Sequence, residues 1–207
     1  MSQSTNQQTN HVPSDNASEV GRLQLMIRTA LSGLRTSMPV KVVSVTNSGG
    51  VSPIGYVDIQ PLVGAMDGAG VVWPHGVIHN VPYMRIQGGA NAIILDPQVG
   101  DIGIASVCDR DISAVKAAKG AAPPGSSRKH DFSDMVYLMT IIAEAPTQYI
   151  RFHSGGIDIA APGQTVTINA DALAFTSSTM THNGTNISST HVHGGVTPGG
   201  GNTAGPQ

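Results

Sequence analysis

Cysteine is nearly absent from this chain: Cys108 stands alone among 207 residues. A single thiol excludes an intrachain disulfide framework and a cysteine-based zinc site. Its place in an apolar run marks it as a buried, inert thiol rather than a nucleophile. Charge is scarce as well. Charged residues make up 12%, against roughly 25% in ordinary soluble domains. With 11 Lys+Arg and a formal net charge of −2, the chain lacks the basic surface that nucleic acid requires. The longest apolar run, around Val136 to Ala143, is far shorter than the roughly 20 residues needed to span a bilayer. An integral membrane protein is therefore not expected. The polar N-terminus lacks a basic region followed by an apolar stretch, so no signal peptide is expected either.

Glycine is plentiful, at 25 residues, and implies many turns. Residues 1–37 read as an arm followed by a helix. Met1 to about Ala17 is rich in Gln, Asn, Ser and Thr and is expected to be disordered. Ser18 then precedes an amphipathic segment from Glu19 to Leu31, with Ser18 as N-cap. Val20, Leu23, Ile27, Ala30, Leu31 and Leu34 form its apolar stripe, and Gly33 and Pro39 bracket its end. This helix packs either on its own domain or on a neighbouring subunit.

Residues 38–145 carry β signals almost throughout. Val40–Val45 and Tyr56–Val63 alternate apolar and polar residues with period two. Further strands are expected at Val77–Met84, Ala92–Leu95, Ile102–Val107 and Met135–Ile142, separated by turn clusters at Asn47–Gly50, Gly88–Gly89 and Pro97–Asp101. A short helix is expected over Asp109–Lys116. Five or six short strands in about 100 residues fit a small closed barrel of the OB type, although other small barrels share that pattern.

Residues 146–190 change character. Ile150–Phe152, Ile157–Ile159, Val166–Ile168, Leu173–Phe175, Met180–His182 and Ile187–Ser189 recur at nearly regular spacing. Most place apolar residues first and third, with turns at Gly155-Gly156, Pro162-Gly163 and Asn183-Gly184. Such a repeat points to a β-helix or solenoid. One chain of these pieces is too narrow to enclose a core. Three identical chains around an axis solve this by presenting the same apolar edge to one another. The competing reading, a disordered Ser/Thr/Gly-rich tail, does not account for the Ile/Val/Phe rhythm.

Residues 191–207 begin with His191-Val192-His193-Gly194-Gly195. In an extended segment His191 and His193 point to one face. Three chains would then offer six imidazoles, a set suited to an octahedral ion rather than to tetrahedral zinc. The bland reading is a pair of solvent-facing histidines in a loop. A coordinatively saturated ion has no open position for catalysis, so the metal would act as a staple.

The ordered combination "VKVVSV…GYVDIQPLV", "VPYMRIQGGANAIILDPQVGDIGIASVCDRDI", "RKHDFSDMVYL", the short β repeats and "HVHGGVTPGG…TAGP" resembles the membrane-piercing spike of contractile-tailed bacteriophages. The resemblance runs from about Val40 to the end. It implies an all-β homotrimer with an OB-fold collar, an intertwined triple-stranded β-helix shaft and a metal-binding apex. It further implies one iron ion per trimer on the three-fold axis, held by His191 and His193 of each chain. The family's function is structural, not enzymatic. A spike at the baseplate tip of the virion, mounted on a tail tube or hub protein, pierces the host outer membrane when the sheath contracts.

The remaining histidines offer less. His182 occupies the strand position of Ile159, Ile168 and Phe175, and an axis-facing place is expected for it, either hydrogen-bonded or beside an internal ion. His75 and His79 flank a loop in the barrel, His130 with Asp131 and Asp134 lies before the last strand, and nothing joins them into a site. Two rivals remain: the spike tip of a related contractile injection system, and a trimeric β-helix enzyme acting on glycans. The second would need clustered carboxylates and aromatic platforms on the shaft. There the only acids are Asp158 and Asp171, and Trp73 lies in the collar segment.

Overall fold

The structure is a computed structural model that describes residues 18–47, 49–52 and 54–191. The expected disorder of Met1 to Ala17 lies outside the described residues. What is described is mostly β-sheet with few helices. It divides into two compact units, Met1–Pro146 and Thr147–Gln207. Among the described residues no helix is long and apolar enough to cross a membrane.

The first unit starts with α1 (Glu19–Ser32), capped as expected: the Ser18 hydroxyl accepts the Gly21 N–H at 3.0 Å. Only Gly21 of this helix is buried. Val20, Leu23, Ile27, Leu31 and Leu34 all stand exposed. After the helix, the Arg35 guanidinium lies over the Phe132 ring, 4.1 Å from its centroid, and donates to the His130 carbonyl.

The main sheet combines β1 (Ser37–Val45) and β2 (Tyr56–Pro61) with three later strands. Between them come a small hairpin of β3 (Ala65–Met66) and β4 (Val72–Trp73), then β5 (Ile78–Pro82). A second small hairpin pairs β6 (Ile86–Gly88) with β7 (Asn91–Ile93), and β8 (Ile102–Val107) follows. A short helix, α2 (Ser113–Ala118), precedes β9 (Met135–Ile142). The strand order is β5-β2-β1-β8-β9, antiparallel at each step. The two outermost strands are also linked: Tyr83 and Tyr137 form a parallel bridge, and the Met84 N–H donates to the Tyr137 carbonyl at 2.8 Å.

Alternation decides what goes inside. In β2 and β8 every second residue is buried, as a half-buried strand requires. The resulting core joins Val40, Val42, Val57, Ile59, Val81, Tyr83, Ala105, Val107, Met135 and Tyr137. Two polar networks brace it. The Tyr83 hydroxyl donates to Asp96 at 2.5 Å, and Asp96 also accepts the Gly49 N–H, which ties down the β1–β2 loop. Burial, then the hydrogen bond to Asp96, pushes the Tyr83 phenol up to about 12. Gly55 packs so closely under the Tyr83 ring that any Cβ there would overlap it. In the second network Arg128 bridges two buried carboxylates, Asp111 at 2.9 Å and Asp134 at 3.3 Å.

In the second unit, β10 (Tyr149–His153) pairs with β11 (Gly156–Ala160) through a two-residue turn, Ser154-Gly155. Cross-strand pairs Ile150–Ile159 and Phe152–Ile157 lie next in register to the pair Arg151–Asp158. Side chains alternate across a strand, so one face of this hairpin is apolar and the other carries the ion pair at 2.5 Å. A turn follows in which Gln164 N–H bonds the Ala161 carbonyl at 3.0 Å, with Gly163 at φ 72°. The last elements are β12 (Thr181–His182) and β13 (Thr185–Asn186).

Several expectations need correction. Val166–Ile168, Leu173–Phe175 and Ile187–Ser189 are not strands in the single chain. A strand is assigned by its hydrogen-bonded ladder: among the described residues Val166–Ile168 and Leu173–Phe175 have no strand partner, and Ile187–Ser189 meets its neighbour through the bond from the Ile187 N–H to the Met180 carbonyl without forming a ladder. The helix expected at Asp109–Lys116 begins later, at Ser113. Cys108 is half-buried, and burial followed by the nearby charges of Asp134 and Asp109 raises its thiol above the ordinary range.

Candidate metal centre

The sequence of the last hairpin dictates its turn. Asn183 and Gly184 both take positive φ, 48° and 81°. This is the two-residue geometry that Asn-Gly adopts most readily, and its twist matches that of paired strands. Thr181 faces Asn186 and His182 faces Thr185. The Ile187 N–H extends the pairing by donating to the Met180 carbonyl at 2.8 Å.

The chain then closes on itself. The Asn186 side chain accepts the Ser188 N–H at 2.9 Å and donates to the Thr190 hydroxyl at 3.2 Å. The Ser188 and Thr190 hydroxyls lie 3.0 Å apart. His191, exposed at the end of this turn, approaches the Ser188 carbonyl twice: its backbone N–H at 3.1 Å and its ring Nδ1 at 2.7 Å. A carbonyl oxygen only accepts, so Nδ1 carries the proton and the lone pair of the neutral ring resides on Nε2. This is the arrangement of metal-ligating histidines, which donate one ring nitrogen to a carbonyl and coordinate through the other. His191 therefore fits the role of ligand. Its expected companion, His193, lies outside the described residues. Within one chain His191 supplies a single donor, and among the described residues no three His, Cys, Asp or Glu side chains group closely enough to hold a metal.

No protein-family model matches the chain, and no curated protein sequence matches it either.

The other histidines are arranged differently. His153 Nδ1 accepts the Gly155 N–H at 3.1 Å, and its Nε2 lies 3.4 Å from Asp158. Both ring nitrogens hold the β10–β11 hairpin together. His182 is exposed in β12 beside the turn. His79 pairs through Nδ1 with Asp58 at 2.9 Å. Burial alone would raise the Asp58 carboxyl, yet hydrogen bonds from His79, the Asn80 N–H and Ser44 together hold it below the ordinary carboxylate range.

Sequence reasoning left His75 and the segment His130–Asp134 unconnected. The structure joins them: the His75 ring meets Phe132 edge-on, with centroids 5.2 Å apart. Asp134 turns away to Arg128 and to the Ile112 N–H at 3.1 Å. The result is a structural junction. Its one readable signal was the clustering of acidic and basic residues in Asp109-Arg110-Asp111 and Arg128–Asp134.

Proposed function

We propose that this protein is a trimeric, non-enzymatic spike of a contractile phage tail. It sits at the baseplate tip of the virion and pierces the host outer membrane on sheath contraction. The observation that carries the proposal is the exposure of the second unit's apolar rows. Phe152, Ile159, Ile150, Phe175, Ile157 and Ile168 are 75% to 62% exposed, and Val166, Leu173, Ile187 and Met180 are also substantially exposed. Completing the burial of ten such side chains would stabilise each chain by on the order of 10 kcal/mol. That rivals the entire stability of an ordinary domain, about 5–15 kcal/mol. Three copies with their apolar edges on one axis recover this energy and supply strand neighbours for the unpaired segments. A triple-stranded β-helix is the architecture that does both.

For the first unit we infer a closed OB-type collar. The strand order β5-β2-β1-β8-β9 and the parallel bridge between its outermost members support that closure. A hub or tail-tube protein would mount the collar. The exposed stripe of α1 supports such a partner, because a 14-residue helix is only marginally stable without packing. At the apex, His191 and His193 of three chains would hold one iron ion on the axis. The ion supplies a cross-link between chains.

Native mass spectrometry of untagged protein purified without added metal tests the proposal. Three chains with one iron is the expected mass; a metal-free monomer overturns it.

A further inference from the structure

We infer that Asn186, which lies outside the expected ligand set, is the positioning residue that sets the donor nitrogen of His191. The inference rests on the apex reading above. Asn186 ends β13, and its amide reaches both ends of the next turn: its oxygen takes the Ser188 N–H and its nitrogen binds the Thr190 hydroxyl. The contact between the Ser188 and Thr190 hydroxyls completes a small ring of hydrogen bonds. That ring fixes the direction of the Ser188 carbonyl, the acceptor of both the His191 backbone N–H and Nδ1. The hydrogen bond at one imidazole nitrogen decides which nitrogen keeps the lone pair. Asn186 thus acts on the metal through two intermediaries, the Ser188 carbonyl and the His191 tautomer. Loss of a partner bonded directly to the ligand typically lowers metal affinity about 10- to 100-fold, and Asn186, one step further out, is expected at the low end of that range.

The chemistry separates this role from simple turn stability. In Asn186→Ala the Ser188 N–H and Thr190 hydroxyl lose their shared partner, the carbonyl is released, and the ring samples both tautomers. In Asn186→Asp one carboxylate oxygen still accepts the Ser188 N–H, and the other accepts the Thr190 hydroxyl proton. The aspartate variant therefore restores the turn.

The test compares untagged full-length wild type, Asn186→Ala and Asn186→Asp. Native mass spectrometry first checks that all three share one oligomeric state. Ring nitrogen-15 shifts of His191 in chelator-stripped protein then report the tautomer, and iron retention against a graded chelator reports affinity. Wild type and Asn186→Asp are expected to show the Nδ1–H form. Asn186→Ala is expected to show a mixture and to lose iron at about tenfold lower chelator concentration. Wild-type tautomer and wild-type retention in Asn186→Ala overturn the inference. Should wild type hold no iron, the apex reading fails, and the tautomer comparison alone decides the role of Asn186.

Discussion

β2 in the first unit and β11 in the second follow the same rule of composition, apolar residues alternating with small or polar ones, and meet opposite fates. Val57 and Ile59 of β2 are buried, and the strand lies between two neighbours, β1 and β5. Ile157 and Ile159 of β11 remain largely in solvent, with β10 as their only sheet neighbour among the described residues. Alternation thus specifies which face seeks cover; it does not specify whose chain provides it. The sheet core of the first unit finds that cover within its own chain. The second presents the same demand outward.

The sharpest way to break this contrast is a charge on the exposed face. Phe152→Asp would be nearly silent on a monomer, where Phe152 is 75% exposed. In a trimer it places three carboxylates on the axis, at a cost of roughly 3 kcal/mol or more per chain once charge burial is added to lost packing. Sedimentation should show dissociation to monomers; an unchanged assembly would count against the axial reading.

A smaller effect is expected from the buried side of the comparison. Ile59→Ala removes a fully buried side chain from the first unit and should cost about 2–5 kcal/mol. Because the cover is intrachain, the shift in urea midpoint should not depend on protein concentration, whereas that of Phe152→Asp should. A concentration-dependent Ile59→Ala midpoint would blur the division between the two units.

The smallest expected effect concerns pH. Hydrogen bonds from Ser113 and Ser126, aided by Arg128, hold the Asp111 carboxyl well below its ordinary value of 3.8. A depressed folded value means the unfolded chain takes up the proton first. The contribution is therefore full above the ordinary value and fades as pH falls toward the folded one. The urea midpoint of the first unit should drop between pH 5 and pH 3, and Asp111→Asn should flatten that drop. Equal slopes for the two proteins would remove Asp111 from the acid response.

These contrasts also explain what could be read in advance. Ile102–Val107 and Met135–Ile142 are strands over the residues expected, because each is an apolar-rich run of six residues or more. β3, β4 and β6 escaped notice, since two or three residues are too few to show a period. The start of α2 shifted because Asp111 and Asp134 capture the Ser113 and Ile112 N–H groups in a turn before the helix begins. His191 was legible as a residue type in a motif. Asn186 was not: its importance lies in a turn whose hydrogen bonds appear only when four residues close on one another.

The register of the main sheet also bears on timing. Ser37 at the start of β1 pairs with Ser106, and β9 adds the fifth strand at residues 135–142. Such distant pairings form slowly, over milliseconds to seconds, but a ribosome adds only about 5–20 residues each second. The first unit therefore has time to close while the apolar hairpins of the second are still being synthesised. The rows of apolar side chains left in solvent by the second unit are thus made after the buried core of the first.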